Sequence, residues 1–392
     1  MTCHPLAVEL FGRRLQPLGQ RAVSVFVLSE IEGLRDAFAL AGFDPGCMAW
    51  LSDAISGTLT VADVQACLEH AEVIIGEPKG STLELLAAAP NLRWFQATFA
   101  GCNGMMSMPL PVAPFVTTRL GGALGADIAE YVAAHVLALE RGLGVHASAQ
   151  QRAAWPDDET RRRSYRRLPS LTLGILGLGD LGRAVAQRLG PGCLGMRIVG
   201  LRRTGSSAGG VSSTGGVSST GGVSSTGGVS STGGVSSTEM GARGPAEEPT
   251  EGLVSRIYGP TELARFLGEC DYIVSLLPDT PASRGLLDHD ALAPCATKQP
   301  VLINAGRGSL ISEAEITRAL DLGYLRHVVA DVFMTEPLPA SSPLWRHPKV
   351  TITPHVAAVT KPADVVACFG ENLKRYAAGE PLKYVFDLER AY

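Results

Sequence analysis

The stretch LTLGILGLGDLGRAVAQRL, residues 171–189, decides the fold predicted for this chain. It begins as a short apolar run typical of a buried strand, passes through a glycine turn and continues with apolar residues at helical spacing. In such a unit Gly177 permits the tight turn, Gly179 lets the backbone approach a pyrophosphate, and Gly182 lets the helix pack on the strand. The N–H groups at the start of the helix then face the phosphates.

The pattern therefore predicts a dinucleotide site. The competing interpretation is an ordinary tight turn, because the chain contains 45 glycines. The strand before the turn and the helix after it favour the dinucleotide. The cofactor contacts predicted at the turn are Gly177, Gly179, Asp180, Leu181 and Gly182.

Length, charge and cysteine pattern exclude several classes of protein. A chain of 392 residues favours two domains. A net charge of −4 argues against nucleic acid as a partner. No apolar run is long enough to predict a membrane span. The eight cysteines are scattered, which predicts free thiols in a reducing compartment and no metal site.

Strands alternate with helices along the chain, which predicts parallel sheets covered by helices. We expect two Rossmann-like or flavodoxin-like α/β domains with the active site in the cleft between them. The substrate domain comprises residues 23–140 and 358–392, and the dinucleotide-binding domain residues 141–357. The predicted strands are residues 24–28, 73–75, 92–98, 115–118, 171–176, 197–201, 272–277, 301–304, 328–333 and 350–353.

Two segments fall outside this pattern. Residues 1–22 form an N-terminal extension that is basic and lacks a long apolar run; either a short organellar transit peptide or an ordinary extension of a cytoplasmic protein fits it. The sequence GGVSST occurs five times in tandem from Gly209 to Thr238. Since only one valine per repeat is apolar, we interpret residues 205–251 as a disordered low-complexity insertion in a surface loop.

Three chemically active side chains follow predicted strands of the second domain: Arg307, Glu336 and His355. Ligands of open α/β sheets bind beyond the carboxyl ends of the strands. A protonated histidine can donate to a carbonyl oxygen that receives a hydride, and a carboxylate can hold its ring. A guanidinium can grip the carboxylate of a 2-oxo acid. We also expect residues beside the cofactor at the ends of two of these strands: Leu277, Pro278, Ala305 and Gly306.

These segments resemble the D-isomer-specific 2-hydroxyacid dehydrogenase family. The matching stretches are GILGLGDLGRAVAQ (174–187), NAGRGSLI (304–311), ADVFMTEPLP (330–339) and WRHPKVTITPHVAAVTKPA (345–363). The separations of 29 residues between Arg307 and Glu336 and 19 between Glu336 and His355 also suit the family. Within it, the last stretch and WFQATFAG (94–101) are most similar to glyoxylate/hydroxypyruvate reductases of the A type.

The resemblance implies a role for several residues. Arg307 would bind the substrate, Glu336 would orient the histidine, and His355 would be the acid/base. Backbone amides around Ala100, Gly101 and Cys102 would receive the substrate carboxylate, and Asp331 would contact the nicotinamide carboxamide. The family commonly has Val-Asp where this chain has Cys102-Asn103. The resemblance also implies a homodimer, with the apolar helix predicted over residues 127–143 near its interface.

The segment after the second strand of the nucleotide-binding unit indicates the cofactor. An NAD-specific site usually carries an acid about 20 residues past the glycine motif. Here the chain has Arg202, Arg203 and Thr204 instead. An arginine can pair with a 2′-phosphate, so we predict NADP(H) in preference to NAD(H), although NAD(H) would also fit the fold.

The sequence thus predicts an NADPH-dependent reductase of a small 2-oxo acid, with glyoxylate and hydroxypyruvate as first candidates. Two alternatives stay open. One is an NAD-linked oxidant of 2-hydroxy acids related to phosphoglycerate or formate dehydrogenases. The other is a nucleotide-sensing, corepressor-like binding protein that uses the repeat insertion as a partner-binding arm.

Overall fold

The computed structural model describes residues 23–108, 115–159, 165–202 and 252–388. They form two sheets in which every strand pair is parallel. The strands are β1 Val25–Val27, β2 Met48–Trp50, β3 Val73–Gly76, β4 Trp94–Ala97, β5 Val116–Thr118, β6 Thr172–Leu176, β7 Arg197–Leu201, β8 Arg256–Tyr258, β9 Tyr272–Ser275, β10 Val301–Asn304, β11 His327–Ala330 and β12 Val350–Ile352. The predicted fold class is confirmed.

Helices cover both sheets. They are α1 Leu34–Leu40, α2 Leu51–Ile55, α3 Val61–His70, α4 Ser81–Ala87, α5 Gly125–Glu140, α6 Leu143–Gln151, α7 Asp180–Leu189, α8 Leu263–Gly268, α9 His289–Leu292, α10 Glu313–Asp321 and α11 Pro362–Ala378. The α10 helix begins directly after Ser312, because the Ser312 hydroxyl accepts a hydrogen bond from the N–H of Glu315. None of the described helices is long and apolar enough to cross a membrane.

The strand order of each sheet determines where a ligand can bind. The first sheet has the order β2-β1-β3-β4-β5, and the second β12-β11-β10-β9-β6-β7-β8. The second sheet grows outward from β6 in one direction and then continues from β9 in the other. The carboxyl ends of β6 and β9 therefore border the crevice in which doubly wound sheets bind ligands.

Two helices join the two halves of the molecule. The α5 helix packs on α7 so closely that a Cβ on Gly125 would lie 2.9 Å from the Ala184 Cβ, and its buried side chains share the core of the second sheet. The domain boundary predicted after residue 140 stays a prediction. The α11 helix returns to the first sheet, as predicted, where Phe369 stacks on Trp94 with ring centroids 5.3 Å apart.

The two edge strands β2 and β8 and the helices α2, α6 and α9 were not predicted from the sequence. Each of these strands has only three residues. A strand this short carries too few residues to show a periodic pattern, and native sheets commonly keep edge strands short. The strands β9 and β11 also end two and three residues earlier than predicted, at Ser275 and Ala330.

Several predictions fall on other parts of the chain. The N-terminal extension, the repeat insertion and the residues Arg203 and Thr204 lie outside the described residues. Within the described ranges, none of the seven cysteines forms a disulfide, and no group of three or more acidic, histidine or cysteine side chains could hold a metal ion.

Candidate active site

A cleft of about 410 Å³ lies between the two sheets and beyond the carboxyl ends of their strands. Loops from both sheets line it. The predicted site residues along its walls are Ala100, Gly101, Cys102, Gly177, Gly179, Asp180, Leu181, Gly182, Arg202, Leu277, Pro278, Ala305, Gly306 and Arg307. The structure therefore gathers residues that are more than 200 positions apart in the sequence.

The glycine turn has the geometry that a dinucleotide phosphate needs. Gly177 has a φ of 100°, in the left-handed region that favours glycine. A Cβ on Gly182 would lie 2.2 Å from the Gly177 carbonyl oxygen, so only glycine allows α7 to start so close to β6. A Cβ on Gly179 would meet no atom within 4 Å, because this residue faces the open cleft. The turn fits the pyrophosphate of a dinucleotide, next to the positive end of α7.

Arg307 follows β10 and lies against the first-sheet loop. Its Nη1 donates to the Gly306 carbonyl at 2.7 Å, and its Nε donates to Asn103 Oδ1 at 3.4 Å. A Cβ on Gly101 would lie 1.6 Å from Arg307 Nη2, so the loop closes over the guanidinium only because it has glycine there. Burial lowers the pKa of Arg307, while the carboxylates of Glu336 and Asp279 oppose that shift.

Glu336 and His355 form a pair at the more open edge of the site, outside the walls of the main cavity. His355 Nδ1 lies 2.7 Å from Glu336 Oε2, and the other carboxylate oxygen accepts the N–H of Phe333 at 2.9 Å. About half of the His355 side chain is exposed. With Nδ1 engaged by a carboxylate, Nε2 is the ring nitrogen that can exchange a proton with a ligand.

Asp331 supports the histidine from behind. Its carboxylate is buried and accepts hydrogen bonds from the Thr353 hydroxyl at 2.6 Å and from the N–H groups of Val356 and Ala357, both at 2.9 Å. Its carbonyl accepts the N–H of His355, whose φ of 54° is unusual for a residue other than glycine. This carboxylate therefore holds the backbone on either side of His355. The predicted contact between Asp331 and the nicotinamide stays a prediction.

The hydrogen-bond chain continues into α5. Because the Thr353 hydroxyl donates to Asp331, the Tyr131 hydroxyl donates to Thr353 Oγ1, at 2.7 Å. Burial raises the pKa of Tyr131, so the phenol stays protonated as a donor. Sequence reasoning missed both residues. The resemblance gave no role to Thr353, although it precedes Pro354 and His355 directly.

The first-sheet loop adds a further residue that was not predicted. Asn103 donates from Nδ2 to the Asp279 carbonyl at 2.8 Å, in addition to its contact with Arg307. It is one of two positions, with Cys102, at which the loop departs from the common family pattern. That departure was the signal that could have drawn attention to it.

Five arginines, Arg161–Arg163 with Arg166 and Arg167, precede the glycine motif in the sequence, and the first three lie outside the described residues. Arg166 is described, and its guanidinium bonds to Glu140 at 2.6 Å and to Asp271 at 3.3 Å. Asp271 directly precedes β9, so this network lies at the amino ends of the strands, opposite the cleft. Arg166 thus acts in an internal ion pair and does not line the ligand site.

A family model matches the part of the chain that forms the second sheet. The model of the D-isomer specific 2-hydroxyacid dehydrogenase, NAD binding domain, matches residues 133–221 and 235–357. The match spans the glycine turn and the strands that carry Arg307, Glu336 and His355. The chain belongs to the D-isomer specific 2-hydroxyacid dehydrogenase family. It is an NAD(P)-dependent oxidoreductase that acts on the CH–OH group.

Solved structures of similar proteins extend the likeness to the whole chain. One is an NADPH-dependent glyoxylate/hydroxypyruvate reductase from Sinorhizobium meliloti in complex with NADP and sulfate, 25% identical over 94% of this chain and 100% of that one, with a TM-score of 0.72. Another is a probable 2-hydroxyacid dehydrogenase from Rhizobium etli in complex with NADP, HEPES and L(+)-tartaric acid, 27% identical over 94% and 99%, with a TM-score of 0.69.

A third is a D-isomer specific 2-hydroxyacid dehydrogenase from Xanthobacter autotrophicus in complex with NADPH and MES. It is 25% identical over 95% of this chain and 100% of that one, with a TM-score of 0.71. All three cover both sheets, so the two-domain architecture of this enzyme is that of its relatives.

Proposed function

We propose that this enzyme reduces a small 2-oxo acid, glyoxylate or hydroxypyruvate, to the 2-hydroxy acid with NADPH. One observation carries the proposal. A guanidinium that can bind a carboxylate and a carboxylate–imidazole pair that can supply a proton follow strands of the sheet that carries the glycine turn. Small anionic carbonyl compounds match this set of groups.

Arg307 would bind and orient the substrate. Its guanidinium can bond in parallel to the carboxylate and to the carbonyl oxygen of a 2-oxo acid. Backbone N–H groups of residues 100–102 would receive the other carboxylate oxygen. Because the guanidinium is largely buried, its attraction for an anion is weakly screened by water. The bound nicotinamide supplies the hydride that the carbonyl carbon receives.

His355 would supply the proton. Nδ1 stays bonded to Glu336, which fixes the ring, and Nε2 gives its proton to the carbonyl oxygen as negative charge develops there. In the reverse direction the same nitrogen accepts the proton. Asp331 holds the backbone of His355 in place, so the proton-donating nitrogen keeps its position relative to Arg307.

We infer a preference for NADPH from Arg202, Arg203 and Thr204. Arg202 lines the cleft directly after β7, in the region where NAD-specific sites usually have an acid. Relatives from Sinorhizobium, Rhizobium and Xanthobacter were crystallised with NADP or NADPH. We expect the double variant Arg202→Ala/Arg203→Ala to raise the KM for NADPH relative to that for NADH. An unchanged ratio would contradict the assignment.

We also propose that the enzyme is a homodimer with α5 and α6 near its interface. Leu137, Leu143 and Val145 on these helices are exposed, by 36%, 56% and 47%. We take these exposed apolar side chains on consecutive helices as the candidate contact surface. Light scattering coupled to size exclusion would show twice the chain mass of 41.1 kDa if the proposal is right.

The test of the activity is the oxidation of NADPH and of NADH by glyoxylate, hydroxypyruvate and pyruvate, measured in parallel. We expect turnover with NADPH and with glyoxylate or hydroxypyruvate. Turnover with NADH alone would leave the site assignment and remove the NADPH preference. If the protein binds the cofactor and turns over none of these pairs, that result would favour a nucleotide-sensing role.

A further inference from the structure

We propose that Asn103 is a positioning residue whose side-chain amide joins the two walls of the cleft and holds Arg307 in the orientation that binds a carboxylate. The inference rests on the proposed function and extends it to a residue of the first sheet. Its basis is that one amide bonds to two separate parts of the second domain. Nδ2 donates to the Asp279 carbonyl at 2.8 Å, and Oδ1 accepts Arg307 Nε at 3.4 Å.

The loop that carries Asn103 is fixed on its own side. A Cβ on the next residue, Gly104, would lie 1.9 Å from the Pro78 carbonyl oxygen, so the backbone there is packed against the loop after β3. The preceding residue, Cys102, is buried in the first core. The backbone of Asn103 is therefore held in place by the first domain. Its two hydrogen bonds fix Asp279 and Arg307 of the second domain relative to that backbone.

The partner segment on the other wall is also ordered. The Asp279 carboxylate accepts the Arg284 Nε at 2.7 Å and the Ser309 hydroxyl at 2.7 Å. Its neighbours Pro278 and Thr280 line the cofactor side of the cleft. Asn103 thus contacts a loop that borders the cofactor and, at the same time, the guanidinium that would bind the substrate. The spacing of the two walls and the orientation of Arg307 are therefore set by the same side chain.

With the Asp279 carbonyl and Arg307 Nε as the two partners, an amide satisfies both contacts. A carboxylate at this position could accept from Arg307 but has no proton for the Asp279 carbonyl, and the two oxygens would repel each other. Its charge would also pair with the guanidinium more strongly than the neutral amide does. An isosteric apolar side chain would leave both bonds unmade. The neutral amide orients Arg307 and leaves its charge for the substrate.

The experiment compares Asn103→Asp and Asn103→Leu with the wild-type full chain. Asn91→Asp is the matched control, because Asn91 is exposed and, among the described residues, its side-chain amide donates to the Glu69 carbonyl in the first domain, away from the cleft. Three quantities are measured: the Kd for NADPH by fluorescence, the Kd for oxalate in the presence of NADP⁺ by calorimetry, and the KM for glyoxylate. Melting temperatures establish that each variant is folded.

We expect both Asn103 variants to raise the oxalate Kd and the glyoxylate KM about tenfold or more, with the NADPH Kd within threefold of wild type. For Asn103→Asp the deficit in oxalate affinity should shrink as the pH falls, because the protonated carboxyl regains a donor and loses its charge. Asn103→Leu should show no such recovery. Asn91→Asp should match wild type in all three quantities.

Folded Asn103 variants that keep both constants within twofold of wild type would overturn the inference. So would equal pH behaviour of the Asp and Leu variants, since that outcome would indicate a packing role only. The oxalate measurement also separates this inference from the proposed function. If the wild type binds oxalate and reduces no oxo acid, the function fails while the role of Asn103 can still be measured.

Discussion

The two walls of the cleft act by different means. The second sheet presents charged and titratable side chains beyond the ends of its strands: Arg307 in the wall of the cleft, and the Glu336–His355 pair at its open edge. The first-sheet wall presents backbone at Ala100–Cys102, the neutral amide of Asn103 and the guanidinium of Arg119, which lies 3.9 Å from the Asp180 carboxylate beside the glycine turn. The first wall thus shapes and closes the site, whereas the second performs the chemistry. Substitutions in the two walls should therefore affect different kinetic constants.

The largest effect should come from the proton donor of the second wall. We expect His355→Asn to lower kcat by about 10³-fold, because general acid catalysis by a positioned histidine contributes about 10²–10⁴-fold. The KM for the oxo acid should change little, since Arg307 still binds the carboxylate. Steady-state kinetics with NADPH and glyoxylate would show this split. A variant with near-wild-type kcat would mean that another group donates the proton.

The substrate arginine should give the next largest effect. Arg307→Lys keeps the charge but removes the planar fork, so we expect kcat/KM for glyoxylate to fall about 10²-fold, mainly through KM. Glycolaldehyde, which lacks the carboxylate, is the matched comparison and should lose much less. Equal losses with both substrates would show that Arg307 acts on the fold of the site and not on the carboxylate.

A glycine of the first wall should give a smaller effect on KM alone. In Gly101→Ala the new methyl would lie 1.6 Å from Arg307 Nη2 and must displace the guanidinium, so we expect the glyoxylate KM to rise about tenfold. Gly144→Ala is the matched control, because a Cβ there meets no atom within 4 Å. If Gly101→Ala instead lowered kcat and left KM unchanged, the proposed division between the walls would be wrong.

The smallest effect should come from the support behind His355. We expect Thr353→Val to lower kcat several-fold with an unchanged NADPH Kd, because the hydroxyl no longer bonds to Asp331 and the histidine backbone is less firmly held. Thr351→Val is the control two residues earlier, since the Thr351 hydroxyl contacts His327 at 2.9 Å and not the active site. Equal kcat in the two variants would leave the Tyr131–Thr353–Asp331 chain with a structural role alone.

The contrast between the two walls of the cleft also explains how much of the site could be predicted from the sequence. The glycine turn and the strand-end residues of the second wall carry local patterns, so the fold class and the position of Arg307 could be predicted. The contacts of Asn103 depend on Asp279, which lies 176 residues away. No local pattern encodes such a pairing, because it forms only when the two sheets are brought together.

Edge strands and supporting polar groups escaped prediction for related reasons. The strand β8 contains only Arg256, Ile257 and Tyr258, which is too short for a periodic signal. Thr353 and Tyr131 are common residue types whose role arises from a buried bond at 2.7 Å. Asp331 was assigned a cofactor contact from the family resemblance, whereas its carboxylate already accepts three hydrogen bonds from the chain itself.

Hydride transfer from NADPH to the carbonyl carbon of a 2-oxo acid is the reaction proposed for the cleft. Its most direct test is to incubate the enzyme with hydroxypyruvate and NADPH that carries deuterium on the transferable position, and to analyse the product by NMR. We predict one deuterium on C2 of D-glycerate. Product without deuterium on C2, or no product from enzyme that binds both ligands, would contradict the account.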